Sequence, residues 1–205
     1  VPEQLNPAKS ATIAYQIGNS LYLNITNRCS NRCTFCPKFT EYRLHGNDLL
    51  LESEPTFEEV MAAVGDPAEI DEVVFCGFGE SLLRLDLVIL VAWELKRLHD
   101  YRIRINTDGQ ANLVHGRNIL PDLAGLVDCI SVSLNAPDAA TYMRVCNTPF
   151  GAEGFNSICD FIREAKKHIP HVIASVVTVP GVDVDACRAL AESLGATLRI
   201  REYTG

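Results

Sequence analysis

Three observations predict an α/β fold, a partial, open (β/α)6-type TIM barrel with parallel strands and an N-terminal hairpin. Short β-branched runs alternate with longer segments whose apolar residues recur at helical spacing, the pattern of parallel βαβ units. Six such runs follow one another: SLYLNI (20–25), EVVFCG (72–77), YRIRIN (101–106), CISVSLN (129–135), HVIASVVTV (171–179) and TLRIREY (197–203). The chain has 205 residues, enough for one full core. A closed eight-fold barrel typically takes about 250. A flat doubly wound sheet fits the same alternation, which separates the two architectures poorly. Residues 1–205 are expected to form a single domain.

Each element has its local reason. TIAYQI (12–17) and SLYLNI (20–25) read as a hairpin turned at Gly18-Asn19, and a loop spans 26–48. Thr56, Glu58-Glu59 and Gly65 cap, charge and end a helix over 56–64. SLLRLDLVILVAWELKRLHD (81–100) predicts a long helix in which Trp93, alongside Val88, Ile89 and Leu90, serves the core or helix packing. Thr107-Asp108-Gly109 ends the third core strand, and a short helix lies near 117–125, started or broken at Pro121. Ala136-Pro137-Asp138 stops the fourth strand, while 154–168 and 184–194 are helical.

Composition removes several function classes. Apolar residues at 47% and charged residues at 21% are ordinary globular usage. No apolar stretch approaches the roughly 20 residues that span a membrane, and VPEQLNPAKS carries no export pattern. A cytoplasmic setting is expected. The net charge of −8 disfavours nucleic acid, because phosphate-binding surfaces need excess Lys and Arg. Five of the eight cysteines (Cys76, Cys129, Cys146, Cys159 and Cys187) stand among apolar neighbours and read as buried small hydrophobes.

The other three cluster. Cys29, Cys33 and Cys36 are spaced C-x3-C-x2-C in the loop after the first core strand. Three thiolates fall one short of the usual set for a [4Fe–4S] cube and would leave one iron open. A zinc site completed by His45 and a disulfide with one free thiol are the alternatives. The ligand site of a parallel α/β fold lies at the carboxyl ends of the strands. There stand the cysteine loop, Gly77-Phe78-Gly79-Glu80, Asn106-Thr107-Asp108-Gly109 and Ser133-Leu134-Asn135. The glycines would let a ligand approach the backbone, and Glu80 could accept from an ammonium group. An ordinary strand-to-helix turn is the plain alternative. Lys38 and Arg43 flank the cysteine loop, and Arg144 and Cys146 read as loop residues near the open face.

The cysteine spacing, with Phe35 before the third thiol, resembles the cluster loop of the radical S-adenosylmethionine superfamily. Gly77-Phe78-Gly79-Glu80 resembles that superfamily's Gly-Gly-Glu segment, with Ser81 where many members have Pro. The lead-in Gly18–Cys29 looks most like the small group named for association with TatD-type nucleases. The resemblance implies that Cys29, Cys33 and Cys36 bind a [4Fe–4S] cluster whose fourth iron chelates S-adenosylmethionine. It places Phe35 near the adenine, and Gly77, Gly79 and Glu80 at the methionine amino group. Ser133, Asn135 and Thr107 would contact the ribose or the methionyl carboxylate. It further implies an external one-electron donor of flavodoxin or ferredoxin type, and hydrogen abstraction from a substrate, small molecule or macromolecule, that the residues do not name. The chain stops after the sixth strand without further clustered cysteines, so auxiliary clusters are not expected. Small open barrels of this kind also resemble the glycyl-radical activases, which act on a protein partner.

Overall fold

Alternating side chains decide which face of each strand is dry. The structure, a computed structural model, describes residues 12–41, 43–44, 46–66, 70–99 and 101–203; His45 lies outside them. Strands β1 (Ala14–Ile17) and β2 (Ser20–Leu23) pair antiparallel about Gly18, at φ 57°. A small hairpin, β3 (Arg43–Leu44) and β4 (Asn47–Asp48), interrupts the long loop that follows. Helix α1 (Phe57–Val64) is capped by Thr56 and ended by Gly65 as expected, and Glu59 answers Thr56 in a reciprocal capping box.

The parallel units then repeat. Strand β5 (Glu72–Phe75) leads through a 3-10 turn (Ser81–Arg84) into α2 (Leu85–His99). Strand β6 (Arg102–Thr107) is followed by α3 (Ala111–His115) and α4 (Leu120–Leu123). Strand β7 (Cys129–Ser133) precedes α5 (Ala139–Cys146) and α6 (Gly151–Ala165). Strand β8 (His171–Val177), α7 (Val184–Ser193) and β9 (Thr197–Arg201) complete the fold. Among the described residues the sheet runs β1-β2-β5-β6-β7-β8-β9, parallel from β2 onward, and does not close on itself.

One strand face is covered by helices. Leu21, Leu23, Val73, Phe75, Ile103, Ile105, Ile130, Val132, Val172 and Ala174 join Val88, Val91, Leu95, Ile158 and Ile162 in a continuous core. By alternation the opposite, concave face carries Tyr22, Asn24, Glu72, Cys76, Arg104, Asn106, Ser131, Ser133 and Ser175. On it the buried Arg104 guanidinium meets both Glu72 carboxylate oxygens, at 2.8 and 3.2 Å.

Four expectations need correction. The long helix opens as a 3-10 turn, because the Glu80 side chain caps Leu82 N–H at 3.0 Å and sets a tight first turn. Trp93 is not core: it is 56% exposed, since α2 turns Leu87, Val88, Val91 and Leu95 inward instead. Residues 139–146 form a helix where no element was expected, nucleated by the Asp138 side chain accepting from Thr141 N–H at 2.8 Å. Arg144 and Cys146 are therefore helical, and the Cys146 side chain is buried. Of the scattered cysteines, Cys129, Cys146, Cys159 and Cys187 are buried and Cys76 is half-buried. Among the described residues no helix is long and apolar enough to cross a membrane.

The Glu72–Arg104 pair yields a pH-dependent test. Burial would raise the Glu72 carboxyl, but the bonds from Arg104 and Ser20 outweigh it and hold it below its usual range. A depressed carboxylate stabilises the fold above its unfolded pKa, and that contribution is lost as pH falls through the folded value. Glu72→Gln leaves Arg104 buried and unpaired, which should cost about 3 kcal/mol in urea denaturation at neutral pH. The gap to the wild-type chain should narrow on acidification below about pH 4, where wild-type Glu72 also becomes neutral.

Candidate active site

The cysteine loop is held by groups distant in sequence. Arg32 N–H donates to the Cys146 carbonyl at 3.1 Å and Thr34 N–H to the Val145 carbonyl at 2.9 Å. These carbonyls end α5 and have no partner within the helix, so the loop caps the helix and the helix anchors the loop. Cys36 N–H closes a tight turn on the Cys33 carbonyl at 3.1 Å, and Pro37 starts a short 3-10 turn. Lys38 rests over the Phe39 ring, 5.2 Å from its centroid, and Arg43 is exposed.

Beneath the loop lies a buried polar network. The Ser30 hydroxyl donates to Asp108 Oδ2 at 2.5 Å, and Asp108 Oδ1 accepts from Gln110 N–H at 2.9 Å. Gln110 Nε2 donates to Asn31 Oδ1 at 2.8 Å, while Asn31 Nδ2 donates to the Tyr142 hydroxyl at 2.8 Å. The Thr148 hydroxyl completes Gln110 through Oε1 at 2.6 Å. Removing any member strands a buried donor or acceptor, at a cost of about 1–3 kcal/mol.

Glu80 joins this network from the β5 side. Its Oε1 accepts from Leu82 N–H at 3.0 Å and from the Thr107 hydroxyl at 2.9 Å, and its Oε2 accepts from Asp108 N–H at 2.6 Å. A carboxylate offers about four acceptor positions; three take these donors, and the carboxyl also lies within hydrogen-bonding reach of the Asp108 side chain. Thr107 is committed twice, since it also accepts from Gly109 N–H at 3.1 Å. Burial, then the charge of Asp108, pushes the Glu80 carboxyl well above its ordinary range. Burial raises Asp108 too, against the bonds from Ser30 and Gln110 N–H. Two carboxyl groups in so dry a place hold fewer than two negative charges until a cation joins them.

The two glycines are explained by packing. A Cβ on Gly77 would lie 2.1 Å from Asn24 Oδ1, and one on Gly79 would lie 2.1 Å from the Thr26 carbonyl and 2.6 Å from that of Arg28. The β5 turn thus presses against the segment leading to Cys29, and Glu80 N–H donates to the Arg28 carbonyl at 2.7 Å. The close approach that needs glycine is to the Asn24 side chain at Gly77 and to backbone carbonyls at Gly79. Phe78, between them, packs with Tyr15 and Leu49.

The remaining predicted residues lie at the same strand ends. Ser133 ends β7 on the concave face, half-buried, and Phe35 packs partly against the main core. Asn135 is buried at φ 56°, and its Nδ2 donates to Cys146 Sγ at 3.7 Å. Its Oδ1 is buried without a partner, as is Asn24 Oδ1 beside Gly77. Two orphaned acceptors, Asn135 Oδ1 beside Cys146 and Asn24 Oδ1 beside Gly77, fit a ligand bringing hydroxyl or ammonium donors.

The thiols suit metal ligation. All are free, and Cys29, Cys33 and Cys36 are each half-buried. Burial, with the charges of Asp108 and Glu80, raises the Cys29 thiol; the neighbouring Cys146, then burial, raises Cys33; burial raises Cys36. Ligation needs thiolates, so positive iron would have to offset that cost. Among the described residues no three His, Cys, Asp or Glu side chains are gathered tightly enough for a single metal ion. Three thiols, a carboxyl pair that favours a cation and two orphaned acceptors fit a [4Fe–4S] cluster with S-adenosylmethionine.

Asn31, Asp108, Gln110, Tyr142 and Thr148 were missed as site residues. Asn31 and Asp108 stand in segments already singled out, the cysteine loop and the end of the third core strand, but neither side chain was given a role. Their pairing spans 78 residues between Ser30 and Asp108 and 111 between Asn31 and Tyr142, beyond the reach of local spacing. The contact at Gly79 supplies a direct test. Gly79→Ala drives a methyl group into two fixed carbonyls and should lower stability by about 2–3 kcal/mol in urea denaturation. It should also lower the iron content reached on reconstitution.

The comparisons with known proteins agree with this geometry. The family model of the Radical SAM superfamily matches residues 23–194. A GTP 3',8-cyclase of Acidothermus cellulolyticus is 31% identical over 196 residues, covering 89% of this chain and 50% of the cyclase. The chain spans about half the length of the curated relatives it matches. Among solved structures, a radical SAM methyltransferase from Sphaerobacter thermophilus superposes with TM-score 0.60 at 15% identity, over 94% of this chain and 69% of that one. Streptococcus suis SuiB bound to S-adenosylmethionine superposes with TM-score 0.62 at 14% identity, over 89% and 38%. Those two likenesses show the shared fold. With a match over most of its length, the chain belongs to the Radical SAM superfamily.

Proposed function

We propose that Cys29, Cys33 and Cys36 hold three irons of a [4Fe–4S] cluster and that the surrounding strand ends bind S-adenosylmethionine. When bound and reduced, the pair supplies methionine and a 5′-deoxyadenosyl radical that takes a hydrogen atom from a substrate. The reading rests most on Asn135, whose buried, unpartnered Oδ1 lies one residue contact from the cysteine loop.

The protein's part is to bind, orient and exclude water. The Glu80–Asp108 carboxyl pair receives the methionine ammonium, whose charge relieves the pair. Gly77 and Gly79 keep that carboxyl next to the loop. Asn135 Oδ1 accepts from a ribose hydroxyl, Ser133 lies beside it, and Phe35 offers a ring face to the adenine. Thr107 serves indirectly, by orienting Glu80. Electrons come from an external donor of flavodoxin or ferredoxin type.

The substrate is an organic molecule seated on the concave sheet face. The cyclase relatives are named for GTP, which makes that nucleotide the first compound to try. The likeness to the TatD-associated group carries no reaction with it. Anaerobically reconstituted, dithionite-reduced protein should form 5′-deoxyadenosine from S-adenosylmethionine, read by liquid chromatography. Alanine at Cys29, Cys33 or Cys36 should abolish it, and Asn135→Ala should weaken S-adenosylmethionine binding about tenfold. One zinc per chain with no sulfide would overturn the proposal.

A further inference from the structure

The concave face holds more positive charge than it uses. Strand β9 lies parallel to β8 with Arg199 opposite Ser175 and Arg201 opposite Val177. Leu198, immediately before them, packs against the helix-covered core, so by alternation both arginines stand on the concave side. Arg102 and Arg104 share that face on β6. Glu72 pairs with Arg104, in a chain whose net charge is −8. Strands β7 and β8 separate β6 from β9 in the sheet, so Arg199 stands across the concavity from the paired Arg104.

Arg201 stands higher, at the end that carries the cluster loop. The sulfurs of Cys76, Cys33 and Cys36 all act on its charge, and so does Arg199. Water reaches it, yet burial among surrounding atoms lowers its pKa from the usual guanidinium value. Neither Arg199 nor Arg201 has a hydrogen bond or ion pair from its guanidinium to any described residue. The other basic cleft is different. Along the start of α2 it is lined by Arg28, Arg84, His115 and Arg117. There Arg28 is bound to Glu54 at 2.6 Å, Arg84 to the Pro55 carbonyl at 2.7 Å, and Arg117 to Asp122 at 2.6 Å. His115 lies 2.8 Å from the Leu82 carbonyl. Those cations already have partners; the β9 pair does not.

Two guanidinium forks on one strand face, about 6.6 Å apart along the strand, suit an oxyanion with several acceptor oxygens. We infer that Arg199 and Arg201 bind an anionic oxygen group, phosphate or carboxylate, of the substrate and so set its reacting carbon beside the cluster loop. This rests on the radical reading for what happens next, but the anion site stands or falls separately. The low-dielectric walls of the concavity strengthen the attraction and draw anions toward a protein that otherwise repels them.

The test is calorimetric titration of the cluster-loaded protein with inorganic tripolyphosphate, with succinate, and with S-adenosylmethionine. One of the two simple anions should bind, and Arg199→Met and Arg201→Met should each weaken it about tenfold or more. Lysine at either position should restore part of the loss. Arg188→Met on the outer helix α7, the same change in net charge, should leave binding as it was. Retention of tripolyphosphate or of succinate assigns the phosphate or the carboxylate source. Anion binding that ignores both variants, or no binding at all, overturns the inference. A loss confined to S-adenosylmethionine overturns it as well, because the arginines would then serve the methionyl carboxylate. If S-adenosylmethionine is never cleaved while the anion site behaves as described, the proposed function fails and this site survives.

Discussion

The site depends on one buried polar contact set, Ser30 and Asn31 to Asp108, Gln110 and Tyr142. A loop of polar residues and thiols has no apolar reason to lie in one place, and ordering it costs conformational entropy at every residue. Here the reason is electrostatic satisfaction. Each donor in the network has its acceptor only when the loop sits over the ends of β6 and α5. In so dry a setting an unmade bond is expensive, so the alternative loop positions are excluded. The capping of α5 by Arg32 and Thr34 adds two backbone bonds in the same register.

That constraint passes to the chemistry through Glu80 and Asp108. The same two carboxyls that fix the 107–110 turn stand beside Cys29 and raise its thiol. The site's own residues are therefore short of positive charge, and the cluster irons and a ligand ammonium are the groups that would supply it. Gly79 matters because it lets the Glu80 segment touch the backbone before Cys29. A side chain there would separate the carboxyl pair from the thiols.

Much of the fold was legible in the sequence because its signals are local. Six β-branched runs, the Thr56 cap and Gly65 each act within a few residues, and the structure places them as read. The cysteine spacing was equally plain. Helix α5 was not, since AATYMRVC is short, turns only Tyr142, Val145 and Cys146 inward, and follows a proline that reads as a stop. Trp93 misled because burial of aromatics is a tendency, and α2 had enough Leu and Val to fill its inner face without it. The network beneath the loop could not be read at all. Its members are common polar residues, and their meaning comes from partners brought together by the completed sheet. At Gly77 and Gly79 the sequence shows a need for closeness, and the structure shows Asn24 and the Thr26 and Arg28 carbonyls packed there.

The central claim is an open iron at Cys29, Cys33 and Cys36 that takes S-adenosylmethionine. Mössbauer spectroscopy of 57Fe-reconstituted protein tests it most directly, because it counts iron environments without requiring turnover. On adding S-adenosylmethionine, one iron of the four should move to a distinct isomer shift while the other three stay as they were. Four irons that remain equivalent, or a protein that takes up no cluster, would contradict the account.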